Sequence, residues 1–439
     1  MMQSKSSIKM QLLSIASIAF FSCELNIKAV AGTFTNELPA GEFSVQETIG
    51  EELNKESTFK LRNHCPPGFE KVSSRCHLRS LYQQYDSLYG KGVGGLKTSL
   101  PEVRDGFRAE QIDLGRYLFF DPVLSGDHTQ SCASCHHPDK GFSDDKPRAI
   151  GHKQVDVGRA SPTLWNVAFL KNLFWDSRAH TLEEQMQGPL YAEKEMANTP
   201  EQLLRDLNKN EVYRNLFAQA FPDFSEQITL PQIYTAIAAF ESSLISLNSR
   251  YDQYAHGFHG ALNKQEIQGL NIFRSFVARC AECHTPPLFT NQQIAVLGTP
   301  EPDGRPLDIG AEQTFNNPEL RAGFKVPSLR NIAKTAPYMH SGKFETLRET
   351  VEFYTKGRGH AVPKGEKLLL HWHIWEPKLS DEELDRLVDF LHTLTDEAFK
   401  PQVPERVPSG LSVVNHPHKN SKLISNNNEK NINTAAGEK

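Results

Sequence analysis

The chain has 439 residues, of which 38% are hydrophobic and 23% charged, and its net charge is -5. This length allows two or three domains with their own cores, and the composition is that of a globular protein rather than of a bundle embedded in a membrane. Because dense runs of lysine and arginine are missing from the sequence, there is no electrostatic basis for binding nucleic acid. We therefore exclude nucleic acid as a partner.

The N-terminus predicts export to the periplasm. Lys5 and Lys9 precede an apolar run that is too short to cross a bilayer but has the length of a signal-peptide core. Two processing sites compete, because Cys23 in "FFSC" is placed like the cysteine of a bacterial lipoprotein, whereas small residues precede a site after Ala31. We predict a signal peptide over residues 1–22, with a lipid anchor on Cys23 as one of the two alternatives.

The seven cysteines fall into separate groups. Cys65 and Cys76 lie close together in an N-terminal extension, residues 23–104, and outside the cytoplasm they predict a small disulfide loop. Two further pairs each belong to a Cys-x-x-Cys-His motif, and Cys23 is left over. The paired cysteines are Cys132 with Cys135 and Cys280 with Cys283.

The middle of the chain predicts a mainly α fold with long loops. Two apolar stripes have helical spacing, and Ser380 with Glu383 forms a capping box at the start of the second. Alternating strand patterns are scarce. The low-complexity segment 401–439 predicts a disordered tail. The stripes are Ile233, Ile237, Phe240 and Leu244, and Leu384, Leu387, Val388 and Leu391.

An internal repeat predicts two related domains in tandem. Residues 161–184 and 326–349 align without a gap, and each copy follows one Cys-x-x-Cys-His motif. We place the domains at 105–258 and 259–400. The matched pairs are Pro162 with Pro327, Asn166 with Asn331, Thr181 with Thr346, and Leu182 with Leu347.

Each Cys-x-x-Cys-His motif predicts a covalently attached c-type haem. Two thiols on one helical turn can bond both vinyl groups of a haem, and the adjacent histidine, His136 or His284, then lies under the iron. A zinc site that pooled the four cysteines would leave both histidines unexplained. A thioredoxin-like dithiol would need a βαβ context, which the sequence lacks. We predict two cytochrome c-like haem domains.

Five phrases of the sequence carry a family resemblance: "LGRYLFFDPVLSGDHTQSCASCH", "SPTLWNVAF", "FWDSRAHTLEEQMQGPL", "EMANTP" and "TAPYMHSGKFETLRETVEFY". Together they resemble the bacterial di-haem cytochrome c peroxidase and MauG family over residues 105–400. The resemblance implies that the first haem, on His136, reacts with hydrogen peroxide and that the second relays electrons.

The resemblance also implies the residues around the first haem. Gln185, Pro189 and Glu195 match family positions on its distal side, and Trp175 matches a tryptophan between the haems. Peroxide cleavage needs a base that takes a proton from one oxygen and returns it to the other, which a carboxylate such as Glu195 can do. Gln185 could orient the peroxide by hydrogen bonding.

The sixth ligand of each iron distinguishes two branches of the family. His152 matches a histidine that caps the first haem at rest in the peroxidases, whereas MauG-like members keep that site open, which would leave His152 in a solvent-facing loop. Tyr354 stands where the peroxidases have the methionine that ligates the second haem, and tyrosine is the MauG-like choice. A phenolate favours ferric iron. Met339 or one of three histidines remain alternative ligands: His360, His371 and His373.

The repeat and the family make two further predictions. In the ungapped register Tyr354 falls opposite Pro189, which cannot ligate iron, so a free or switchable first site is favoured. The family carries calcium between its domains, and Thr335 and Pro337 match two of its ligand positions. Ala160 replaces the usual asparagine at the third, so calcium binding stays open.

The resemblance implies an enzyme of one of two kinds. A peroxidase would draw electrons from a small periplasmic cytochrome or cupredoxin, whereas a MauG-like oxidase would use peroxide to oxidise residues of a partner protein. The third hypothesis is a di-haem electron carrier without peroxide turnover. Relatives that pair into dimers make a homodimer an expectation as well.

Overall fold

The computed structural model describes residues 59–79, 100–355, 360, 362–372 and 377–414. The predictions for the signal peptide, for Cys23 and for His373 concern residues outside these ranges. Within them the fold is mainly α, as predicted, with short helices and long connecting loops. The helices are α1 Ala109–Phe120, α2 Cys132–Cys135, α3 Leu182–Gln185, α4 Gln187–Tyr191, α5 Pro200–Lys209, α6 Glu211–Ala220, α7 Leu230–Ser242, α8 Arg250–Ala255, α9 Lys264–Phe273, α10 Cys280–Cys283, α11 Ala311–Phe315, α12 Leu347–Thr355 and α13 Asp381–His392.

Two small antiparallel sheets accompany the helices. β1 and β2 form an N-terminal hairpin, and β3 pairs with β4 in the second half of the chain. The strands are β1 Phe69–Val72, β2 Arg75–Leu78, β3 Ile294–Val296 and β4 Gly323–Lys325.

The first half of the chain is built on the packing of α1 against α7. Gly115 allows the two helices to touch, because an added Cβ at this position would lie 1.8 Å from the carbonyl oxygen of Ala236. Thr229 and Gln232 form a capping box before α7. The predicted apolar stripe is buried along α7, although Leu244 lies beyond the helix end at Ser242.

The second half repeats this arrangement with α9 and α13. An added Cβ on Gly269 would lie 1.9 Å from the carbonyl oxygen of Arg386, so these helices also touch through a glycine. The predicted capping box is confirmed, since Ser380 and Glu383 cap α13 reciprocally.

The repeated segments share backbone detail as well as sequence. Asn166 and Asn331 both adopt left-handed conformations, with φ of 62° and 58°. Thr181 and Thr346 each accept a hydrogen bond from the N–H three residues later, both at 3.1 Å. The two halves therefore follow the same local path, which allows their equivalent positions to be compared.

The predicted disulfide between Cys65 and Cys76 is present and closes the β1–β2 hairpin. Phe69 and Leu78 of the hairpin belong to one hydrophobic cluster with Phe169 of the first half and Leu288 of the second. This N-terminal hairpin therefore packs against both halves of the chain.

Replacing both Cys65 and Cys76 with serine should lower the free energy of unfolding by about 2–3 kcal/mol, because the short loop gains entropy in the unfolded chain. Chemical denaturation of the holoprotein without reductant measures the loss. The wild-type protein denatured with a reductant is the control and should match the variant. Equal midpoints for variant and oxidised wild type would contradict the prediction.

The predicted tail boundary is wrong for residues 401–414. Val407 is 1% exposed and joins a cluster with Phe119 and Phe120 of α1. Ser409 donates a hydrogen bond to Asp121 at 2.6 Å. This stretch therefore packs on the first half, held by apolar and polar contacts that its proline-rich composition conceals.

Candidate functional site

Both Cys-x-x-Cys-His motifs open into one cavity of about 1080 Å³. This volume exceeds the roughly 300–1,000 Å³ of most sites for one small ligand. The motif residues that line it are Cys132, Cys135, His136, Cys280, Cys283 and His284. A single internal space thus has the size and the attachment points for two cofactors.

The two motif histidines are held by backbone carbonyl groups. Nδ1 of His136 lies 3.0 Å from the carbonyl oxygen of Phe142, and Nδ1 of His284 lies 3.1 Å from those of Phe289 and Pro327. A carbonyl oxygen only accepts, so each Nδ1 carries the hydrogen and Nε2 keeps its lone pair for a metal. Burial lowers the pKa of both rings, that of His284 to about 4, which favours the neutral form of the imidazoles.

None of the four motif cysteines forms a disulfide within the chain, so each sulfur is available to bond a cofactor. Burial raises the pKa of Cys135 and of Cys280 to about 12. Within the described ranges no three histidine, cysteine or acidic side chains are grouped as a metal cage requires, so the pooled zinc site is not formed. The thiols and histidines instead fit two covalently attached haems.

The structure brings the predicted distal residues of the first site together. Gln185, Pro189 and Glu195 all line the cavity. The N–H of Met196 donates to the carbonyl oxygen of Pro189 at 3.0 Å, which ties the Glu195 turn to α4. Burial raises the pKa of Glu195, and the positive charge of Arg178 opposes this rise.

His152 does not belong to the cavity lining, although its neighbour Gly151 does. Its Nδ1 lies 3.1 Å from a carboxylate oxygen of Asp127. Its backbone N–H donates to the carbonyl oxygens of Lys194 and Glu195, at 3.1 and 2.8 Å. The His152 loop is therefore fixed to the Glu195 turn by its backbone, with the imidazole beside Asp127 and outside the cavity lining.

Trp175 lines the cavity and contacts both halves of the chain. Its indole N–H donates to the carbonyl oxygen of Ala160 at 2.8 Å, and its own carbonyl oxygen accepts the N–H of Lys325 at 2.7 Å. Its ring centroid lies 6.4 Å from that of His340. These contacts fix the ring where the two halves meet.

Tyr354 on α12 lines the cavity near Cys280 and Cys283. Burial, and then the two cysteines, raise the pKa of its phenol. Of the alternative ligands Met339 also lines the cavity, whereas His360 and His371 do not. The ungapped repeat register agrees with this geometry, because equivalent residues line the cavity in both halves. These pairs are Leu182 with Leu347, Met186 with Val351, and Pro189 with Tyr354.

The predicted calcium site lacks one of its three side-chain or backbone ligand positions. Thr335 and Pro337 line the cavity, and the Thr335 hydroxyl donates to the carbonyl oxygen of Ile332 at 3.2 Å. Ala160 has no side-chain oxygen, and its carbonyl already accepts the Trp175 N–H. Calcium binding therefore stays a prediction.

Sequence reasoning missed two polar groups of the cavity wall. Arg159 makes ion pairs with Asp308, at 2.6 Å, and with Asp176, at 2.7 Å. Glu241 lies in the wall near Cys132. Its signal was its place on the α7 stripe, four residues after Ile237, where an apolar residue is expected.

Comparison with known proteins identifies relatives of this chain. The sequence model of the di-haem cytochrome c peroxidase family matches residues 109–259. Cytochrome c551 peroxidase of Nitrosomonas europaea is 34% identical over 69% of this chain and 84% of its own length. MauG, the methylamine utilization protein of Methylophilus methylotrophus, is 33% identical over 67% of this chain and 85% of its own.

Solved structures show the same likeness. A MauG-like protein associated with microbial copper homeostasis has a TM-score of 0.65 and 31% identity, covering 71% of this chain and 99% of that one. The diheme peroxidase BthA of Burkholderia thailandensis has a TM-score of 0.58 and 25% identity, covering 72% and 99%. Across the described residues no helix is both long and apolar enough to cross a lipid bilayer. From the motifs, the cavity and these similarities, the chain belongs to the bacterial di-haem cytochrome c peroxidase and MauG family.

Proposed function

We propose that this protein is an exported di-haem peroxidase that reduces hydrogen peroxide at a first haem held by His136. The second haem, held by His284, receives electrons from a partner protein, which is either a small redox protein or, in a MauG-like enzyme, the protein whose residues are oxidised. The observation that carries the proposal is the single cavity, which both motifs, Glu195 and Trp175 line. The two halves, 105–258 and 259–400, are then two haem domains in tandem.

Each residue of the first site has its own role in peroxide cleavage. The bound haem would supply the iron that takes up oxidising equivalents from peroxide. Glu195 accepts a proton from one peroxide oxygen and returns it to the other, because a buried carboxylate with a raised pKa is suited to both steps. The Gln185 amide hydrogen-bonds the peroxide. Pro189 has no group that could ligate iron, so the site stays accessible.

The electron path runs through the ring of Trp175. Its contacts with Ala160 and Lys325 hold it in one orientation between the halves, and a fixed aromatic ring shortens the distance that an electron crosses. Tyr354 is the proposed sixth ligand of the second haem, since its phenol faces the cavity beside Cys280 and Cys283.

The geometry favours the MauG-like branch, in which the first site is open at rest. The position of His152 outside the cavity lining, together with Tyr354 at the second site, supports this choice. The substrate would then be residues of a partner protein. A reductively activated peroxidase is the second candidate, because His152 adjoins Gly151, which lines the cavity.

Low-temperature electron paramagnetic resonance of the oxidised protein, before and after stoichiometric hydrogen peroxide, tests the proposal. We expect a high-spin ferric signal from the first haem that disappears on adding peroxide without a reductant. Two low-spin haems that react only after one electron is supplied would favour the reductively activated peroxidase. Inertness even then would overturn the peroxidase proposal and leave a di-haem electron carrier.

A further inference from the structure

The cavity wall contains a carboxylic acid that the mechanism above does not use. Glu241, the second-last residue of α7, is 6% exposed and lines the cavity. Its Oε2 has no hydrogen-bond partner among the described residues. A buried polar atom without a hydrogen-bond partner destabilises the folded state. A packing role alone would be filled better by a hydrocarbon side chain.

The second half of the chain has that hydrocarbon at the same position. Gly115 meets Ala236 and the Cβ of Phe240, just as Gly269 meets Arg386 and the Cβ of Phe390. These contacts place α7 of the first half in the same position as α13 of the second half. In this register two further pairs of residues correspond, and all four residues line the cavity. The pairs are Ile237 with Leu387 and Glu241 with Leu391. The acid is therefore one of the differences between the two corresponding walls of the cavity.

The surroundings of Glu241 keep it uncharged. Burial, and then the negative charge of Glu183 on α3, raise its pKa to about 8, while Arg104 acts in the opposite direction. Arg104 is already engaged, because its guanidinium makes two hydrogen bonds with Glu183. The C-terminal end of α7 also disfavours an anion.

The other elements that pack against α7 give Glu241 no cation. Cys132 on α2 faces it, and the two affect each other electrostatically. The charged side chains of α1 are paired among themselves and with neighbouring residues. These pairs are Arg108 with Glu110 and Arg116 with Asp113.

We propose that Glu241 stores a proton beside the first haem site and delivers it to the cavity when peroxide is reduced there. This inference rests on the proposed function. The overall reaction is H2O2 + 2 H⁺ + 2 e⁻ → 2 H2O, and the electrons come from the partner protein through the second site. Glu195 only moves a proton between the two oxygens of one peroxide, so two protons must still enter from outside.

Glu241 supplies one of these two protons and becomes a carboxylate. It then regains a proton from solvent at the Arg104–Glu183 pair, whose side chains are 35% and 25% exposed. The second site performs no oxygen chemistry in the proposed function and consumes no protons. The apolar Leu391 therefore suffices at the second site, where no proton donor is needed. This accounts for the difference between Glu241 and Leu391.

The test is a spectroelectrochemical titration of each haem in the holoprotein at a series of pH values. An oxidised iron favours the ionised form of a nearby acid, so the wild-type midpoint potential of the first haem should fall as pH rises around pH 8. Glu241→Gln and Glu241→Leu should abolish that pH dependence, whereas Glu241→Asp should retain it. The second haem should behave alike in all four proteins.

Turnover with peroxide provides a second readout, and Glu241→Gln should lower it by about 10²-fold at neutral pH. Glu241→Gln is isosteric and carries the test if the leucine variant fails to fold. A first-haem potential that keeps its wild-type pH dependence in Glu241→Gln would overturn the inference. A wild-type protein that consumes no peroxide would instead overturn the proposed function, whatever the titration gives.

Discussion

Replacing Glu195 with glutamine should lower the rate of peroxide reduction by about 10²–10⁴-fold while both haems stay attached. Glutamine keeps the size of the side chain but cannot take a proton from the peroxide. Stopped-flow absorbance after mixing with peroxide measures the rate, and the visible spectrum reports haem attachment.

The pH dependence of the rate of peroxide reduction shows whether Glu195 is the base. A base must be unprotonated to accept a proton, so the wild-type rate should fall as pH drops through the pKa of Glu195, which burial raises above its ordinary 4.5. Glu195→Gln should lose this acid limb. The control is Glu193→Gln, an exposed neighbour outside the cavity lining, which should behave like wild type. An acid limb that persists in Glu195→Gln would assign the base to another residue.

Replacing Asp252 with alanine should lower the free energy of unfolding by about 3–5 kcal/mol, because it leaves the buried charge of Arg330 without its partner. The side chain of Asp252 is 1% exposed and that of Arg330 is 0% exposed. Nη2 of Arg330 donates a hydrogen bond to Oδ1 of Asp252 at 2.7 Å. Arg330 also donates to the carbonyl oxygen of Pro287. Chemical denaturation of the holoprotein measures the loss.

A double variant separates the charge from the packing. Asp252→Leu combined with Arg330→Met removes both charges and should unfold closer to wild type than Asp252→Ala alone. Asp303→Ala breaks an ion pair on the surface and should have no measurable effect. A double variant less stable than the single one would show that the other hydrogen bonds of Arg330 matter more than its charge.

The parts of the fold that depend on local patterns were predictable from sequence. The capping box at Ser380, the α7 stripe and the disulfide of the N-terminal hairpin each involve residues close in the chain. The haem motifs are equally local, since two thiols and a histidine share one helical turn. The structure also agrees with the ungapped repeat, down to the left-handed asparagines.

Features that depend on distant contacts were not predictable. Glu241 stands on the apolar stripe of α7, but the cavity that it lines is formed by elements distant in sequence, so its place in the wall was missed. The packing of residues 401–414 depends on Asp121 and on the phenylalanines of α1, far away in sequence. The position of His152 depends on its backbone hydrogen bonds to Lys194 and Glu195, which no motif connects to it.

The repeated helix pair has an evolutionary consequence. A gene duplication would first have produced two interchangeable halves, and specialisation would then have needed few substitutions, because the glycine contacts and caps had to stay as they were. Pro189 against Tyr354 and Glu241 against Leu391 are two places where the copies have diverged. The ancestor of such a protein would have been a single-haem cytochrome. Exchanging these residues between the halves would show how far they account for the different roles of the two haem sites.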